Sequence, residues 1–95
     1  MTQKIKGYRD LSQEELDLIN EIKQVGMQLS DLVNKVQMKI ITDYNAASLR
    51  GDEQEIARLD SAEPTEWCDE AKRDLQVGLM KLTRSVAQPG STGGF

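Results

Sequence analysis

Eight positions, Leu16, Ile19, Ile22, Gly26, Leu29, Val33, Val36 and Ile40, recur at steps of three and four residues along this chain. That spacing returns to one side of an α-helix at every turn, and it is incompatible with a strand, whose faces alternate with a period of two. A start signal precedes the row: in Ser12-Gln13-Glu14-Glu15 the hydroxyl and the Glu15 carboxylate form a capping box for the first free amides of a helix. The spacing therefore predicts one long helix from Ser12 to about Leu49 or Arg50, on the order of 55 Å at 1.5 Å per residue.

Gly51-Asp52 interrupts the pattern, and Asp52 to Glu63 reads as a polar connection with room for a short helical turn around Ile56, Ala57 and Leu59. Pro64 suits the first turn of a following helix, where its missing N–H costs nothing, and Glu63 and Glu66 complement the positive helix end. A second row, Trp67, Ala71, Leu75, Gly78, Leu82 and Val86, runs up to Pro89-Gly90, which stops it. The expected architecture is all-α, a single antiparallel helical hairpin: a basic arm over 1–11, a long helix over 12–50, an acidic connection over 51–63, a second helix over 64–88 and a tail over 89–95. Leu18, Leu32, Ile41, Val77 and Met80 fall partly outside the mutual seam of such a hairpin and need another surface. Other copies of the same chain are the economical answer, since 95 residues make one small domain that is marginal as an elongated monomer.

The net charge of −4 conceals a segregation. Residues 52–70 hold one cation and eight anions, whereas residues 1–10 hold three cations and one anion and residues 71–95 hold four cations and one anion. A hairpin brings the two basic segments together at its open end and leaves the acidic turn at the other, so a small anion is steered to the open end. An acidic total argues against a general duplex-DNA binder.

The chain has no His and one Cys, which excludes a disulfide framework, a zinc cluster of the usual kind and an imidazole base. Cys68 reads as an inert small side chain in a reduced compartment. No apolar run approaches the roughly 20 residues of a membrane span, and the N-terminus lacks a signal-peptide core, so a cytoplasmic protein is expected.

Within the basic arm, Tyr8 is the one aromatic among Lys4, Lys6 and Arg9, and Lys23 lies further along the first helix. An aromatic face and cations together suit an anionic ring compound such as a nucleotide. The bland readings are a Tyr8 staple on the first helix turn, a solvated Lys23 and a solubilising basic tip. Gly26 and Gly78 each cost about 1 kcal/mol relative to Ala in a helix interior. Close helix packing offsets that, and Gly26, three residues from Lys23, also clears space for a ligand. Lys23 stands about 16 Å into the helix while the links from Tyr8 to Ser12 span at most about 14 Å. Either the arm folds back along its own helix or the two side chains meet across a subunit boundary.

Gly7-Tyr8-Arg9-Asp10-Leu11, the run ending Glu21-Ile22-Lys23, and Leu75 to Met80 with Arg84 to Pro89 resemble the phage anti-CBASS cyclic-nucleotide sponges, the anti-CBASS protein 2 family. The hairpin is also similar to the core of the Thoeris anti-defence sponges. The resemblance covers nearly the whole chain apart from the acidic connection. It implies a helical homo-oligomer, commonly a hexamer, that captures cyclic oligonucleotide signals in the host cytoplasm without cleaving them and without a cofactor or metal. It further implies that Tyr8 and Lys23 contact a cyclic dinucleotide such as 3′,3′-cyclic GMP-AMP, with Arg9, Gly26 and Arg84 as weaker carry-overs. A second pocket for cyclic trinucleotides is implied for some members, with no residues assignable.

Two other classes compete with this one. A small helical adaptor would use the same apolar stripes on a protein partner, and a hydrolase would need Asp10, Glu14, Asp17 and Glu21 as a metal-binding row rather than a solvated helix face. The Gly-rich tail ending in Phe95 reads either as a lid or as a loose end.

Overall fold

A computed structural model of the chain describes residues 9–89. Three helices account for nearly all of them: α1 over Gln13–Arg50, α2 over Glu53–Ala62 and α3 over Pro64–Ala87, with no strand among the described residues. No helix is long and apolar enough to cross a membrane among these residues.

α1 begins with the expected capping box. Ser12 N donates to Glu15 Oε1 at 2.9 Å and Glu15 N donates to Ser12 Oγ at 3.2 Å, so two end amides are satisfied reciprocally. Its C-terminus is a Schellman motif. Gly51 takes φ +66°, Gly51 N bonds to Ser48 O at 3.1 Å and Asp52 N to Ala47 O at 2.9 Å. A left-handed residue is required there, and glycine adopts that conformation without a Cβ clash.

The acidic stretch departs from the expected connection. Instead of a short turn it forms the 10-residue helix α2, capped by Asp52, whose carboxylate accepts from Glu55 N at 3.1 Å. Ile56 and Leu59, three apart, give α2 an apolar edge, and Leu59 is buried. Glu63 turns the chain with φ +53°, and Pro64 follows at the first position of α3, where no N–H is needed.

The described residues group into two compact units, one drawn from residues up to Met27 and from Gln76 onward, the other from Gln28–Leu75. In the first unit α1 and α3 pack antiparallel: Gly26 sits against Leu79, and Arg9 reaches Val86. The second unit contains the buried side chains Ala47, Leu59 and Cys68, and the Tyr44 hydroxyl of α1 donates to Asp60 of α2 at 2.9 Å.

The α1 row behaves largely as its spacing predicts, with Leu16, Ile19, Ile22, Gly26, Leu29, Val33 and Ile40 half-buried and Val36 exposed. The α3 row needs correction. Trp67, Ala71, Leu75, Gly78 and Leu82 are all exposed, and Gly78 has open space where a Cβ would stand. The side chains that α3 turns inward are Cys68, Leu79, Thr83, Val86 and Ala87. α3 carries apolar residues on two faces, and only one of them meets α1. Leu18, Leu32, Ile41, Val77 and Met80 are exposed as well.

Candidate functional site

In the unit that joins the first half of α1 to the last half of α3, the helices leave a groove of about 480 Å³. Its walls are mostly apolar, from Ile22, Leu79, Met80, Ala87 and Pro89. Lys23 of α1 and Lys81 and Arg84 of α3 bring three cations to it, and no carboxylate among the described residues lines it. The size falls within the range of small-molecule sites, which combine apolar walls with a few placed polar groups.

Local sequence explains how these side chains converge. Lys23 and Gly26 are three apart and so share a face of α1, while Lys81 and Arg84 repeat that spacing on α3. Gly26 sets the distance between the helices, because a Cβ there would stand 3.2 Å from Leu79 Cδ1. The same missing side chain keeps the groove open beside Lys23. Among the described residues Lys23 enters no salt bridge, so its ammonium is not neutralised by a neighbouring carboxylate.

The rim of the groove is the last turn of α3. Gln88 takes φ +48°, its N–H donates to Arg84 O at 2.8 Å, and its side-chain amide donates to Ser85 O at 3.2 Å. The next carbonyl, Val86 O, accepts from Arg9 Nη2 at 3.0 Å. These bonds occupy carbonyls that a helix end leaves without intrahelical partners. Arg9 also forms a two-pronged ion pair with Glu15, Nη1 to Oε1 at 3.1 Å and Nη2 to Oε2. The Arg9 side-chain hydrogen bond, followed by the Ser12 backbone amide, pulls the Glu15 carboxyl down to about 2. Arg9 is correspondingly pushed up, chiefly by the same hydrogen bond.

Of the residues singled out in the sequence, Lys23, Gly26 and Arg84 line the groove together. Arg9 is engaged instead with Glu15 and Val86 on its rim. Tyr8, Lys4, Lys6 and Phe95 lie outside the described residues. Sequence reasoning missed Lys81 and Thr83. The i, i+3 relation of Lys81 to Arg84 was the available signal for the first, and the four-residue step from Leu79 for the second.

A smaller recess of about 300 Å³ lies among Gln37, Ile40, Ile41, Thr65, Cys68 and Asp69 in the other unit. It offers a carboxylate and no cation to an anion. Asp10, Glu14, Asp17 and Glu21 do not converge, and no group of three or more His, Cys, Asp or Glu among the described residues is placed to hold a metal ion.

No protein-family model matches the chain. A curated relative does: anti-CBASS protein 2 of Pseudomonas phage JBD67 is 36% identical over 99 residues, an alignment that takes in 90% of this chain and 92% of the relative. With that identity over nearly the full length of both sequences, the protein belongs to the anti-CBASS protein 2 family.

Proposed function

We propose that this chain is a phage counter-defence protein that sequesters the cyclic oligonucleotide signals of CBASS immunity in the host cytoplasm, and that it binds them without chemistry. The observation that carries the reading is the groove itself: Lys23, Lys81 and Arg84 converge on an apolar cleft that Gly26 holds open. A cyclic dinucleotide presents the complementary surface, two flat bases and two phosphodiester charges. Lys acts on a phosphodiester as a point charge and Arg as a planar fork. Tyr8, from the arm, supplies the stacking face, worth about 1 to 3 kcal/mol per base and tolerant of base identity.

The chain has no His, and no carboxylates converge among the described residues; these are the groups a phosphodiesterase would use as a base or metal cage. Binding alone suffices for sequestration, provided the protein outcompetes the host receptor, which favours several sites per assembly. A homo-oligomer, commonly a hexamer in the family the sequence resembles, gives the exposed α3 row of Trp67, Leu75 and Leu82 a surface to bury against. Cyclic trinucleotides are a second ligand class in this reading, and duplex DNA is not a ligand.

Calorimetry with 3′,3′-cyclic GMP-AMP tests the site. Wild type is expected to bind, and Tyr8→Ala and Lys23→Ala to bind far more weakly with unchanged helix content and assembly mass. Wild-type affinity in both variants removes the site. Intact ligand recovered after heat denaturation supports sequestration, whereas a linear or hydrolysed product makes the protein an enzyme. The exposed apolar rows also fit a helical adaptor for a protein partner. That alternative gains if cyclic dinucleotides fail to raise the melting midpoint, since a ligand of the folded state must raise it.

A further inference from the structure

The groove divides into a floor and an exposed margin. Its half-buried lining residues are Ile22, Gly26, Leu79, Thr83, Ala87 and Pro89, whereas Lys23, Met80, Lys81 and Arg84 are exposed. Leu79, Thr83 and Ala87 follow one another at four-residue steps and so form one stripe along α3. Among the described residues, Thr83 therefore carries the one polar side chain on a floor that is otherwise apolar.

The Thr83 hydroxyl is also unengaged. Hydroxyls on a helix commonly bond to a carbonyl of the preceding turn. Thr42 Oγ1 donates to Met38 O at 2.8 Å, and Ser85 Oγ donates to Leu82 O at 2.7 Å. Thr83 Oγ1 makes no hydrogen bond among the described residues, and it is not sealed from a ligand, since none of their side-chain oxygens is both buried and without a partner. The rest of the lining cannot replace it. Lys and Arg only donate hydrogen bonds, and the phosphodiester charge they suit is the same whatever base is attached. The carbonyls of Arg84, Ser85 and Val86 already accept from Gln88 and Arg9. Thr83 Oγ1 is the only side-chain oxygen that the described lining offers.

We propose that Thr83 is a specificity-determining residue of the groove: its hydroxyl oxygen accepts a hydrogen bond from the exocyclic amino group of a bound purine, so that the site favours cyclic dinucleotides whose bases carry that group. This deepens the sequestration reading above and rests on it. A flat base on the apolar floor has its edge stripped of water, and an amino group there loses a partner unless the site returns one. Leu79 and Ala87 flank Thr83 and shield the bond from competing water. A site that hydrogen-bonds a ligand group discriminates against the analogue lacking it.

The experiment is calorimetry of the full chain with 3′,3′-cyclic GMP-AMP and with 3′,3′-cyclic di-IMP, whose hypoxanthine bases carry no amino group. Wild type is expected to bind cyclic GMP-AMP about tenfold more tightly, the scale of one hydrogen bond. Thr83→Val keeps the branched shape and removes the oxygen. It should weaken cyclic GMP-AMP about tenfold and change cyclic di-IMP by no more than about twofold, so that the preference disappears. Thr83→Ser restores the oxygen and should keep the preference, and Thr83→Ala gives a second hydroxyl-free variant should Val disturb the helix. Equal losses for both ligands on removing the hydroxyl would assign Thr83 a packing role and overturn the proposal. So would undiminished binding of cyclic GMP-AMP by Thr83→Val, or the absence of any preference in wild type. Failure of wild type to bind either ligand removes the sequestration reading as well, whereas wild-type binding that is indifferent to the amino group removes only the role of Thr83.

Discussion

Residues 28–75 contain every side chain that the described structure buries, Ala47, Leu59 and Cys68, whereas the unit formed by residues up to 27 and from 76 contains the cationic groove and, among its described residues, no buried one. The first region is organised like a small core, with Leu59 of α2 buried and α2 tied to α1 by the Tyr44–Asp60 hydrogen bond. The second is organised like a binding site, with half-buried apolar walls, a glycine gap and hydrogen-bonded helix ends. If the proposed function holds, a groove that admits a charged ligand cannot also be a dry core, and stability and recognition fall to different stretches of the chain.

That division can be broken by substitutions that ought to affect one property alone. The first substitution tests recognition. Lys23→Ala should weaken cyclic dinucleotide binding on the order of 10- to 100-fold, the scale of a lost charge-assisted hydrogen bond, with an unchanged melting midpoint. A comparable fall in thermal stability would show that Lys23 is structural.

Next comes the core. Leu59→Ala should destabilise the fold by about 2–4 kcal/mol in chemical denaturation, since it opens a cavity at a side chain that is 5% exposed. Ligand stoichiometry and affinity of the folded fraction should stay at wild-type values, and loss of affinity in step with stability would merge the two regions into one cooperative site.

Gly26→Ala sharpens the comparison from within the groove. Helix propensity favours the substitution by about 1 kcal/mol, while the new Cβ would lie 3.2 Å from Leu79 Cδ1. That atom is the end of a flexible, half-buried side chain and can give by a few tenths of an ångström. Stability measured by denaturant titration should therefore remain within about 1 kcal/mol of wild type, and ligand affinity should fall because the Cβ occupies the gap beside Lys23.

The smallest effect concerns the Arg9–Glu15 ion pair and pH. The Glu15 carboxyl is lowered from 4.5 to about 2 in the folded chain, so its stabilising contribution is complete above pH 4.5 and is lost as pH falls toward 2. The melting midpoint of wild type should exceed that of Glu15→Gln at pH 6 by a small margin that shrinks over this window. A margin constant from pH 6 to pH 2 would show that Glu15 gains nothing from Arg9 in the fold.

Much of the fold was legible because helix signals are local. The 3–4 spacing of the α1 row, the Ser12–Glu15 box and Gly51 are each read within one or two turns, and the bonds they form join residues three to five apart. α2 was harder to see, since its few apolar residues are diluted by Glu53, Glu55, Arg58 and Asp60, and its stability comes from burying Leu59 rather than from its own periodicity. The inward face of α3 was misjudged for a related reason. The row through Trp67, Leu75 and Leu82 is as periodic as the row through Cys68, Leu79 and Thr83, and spacing alone does not tell which of two apolar faces meets α1.

The sequence by itself determined the helical class, the start and stop of α1, the absence of imidazole chemistry and the segregation of charge, because these depend on residue type and on neighbours within a few positions. Tertiary structure decided the rest. It placed Lys81 and Thr83 in the groove with Lys23, set Gly26 against Leu79, and gave Arg9 to Glu15 and to a carbonyl 77 residues away. Such pairings depend on the rotation and register of one helix against the other, and those are set by packing summed along the whole interface rather than by any local stretch of chain.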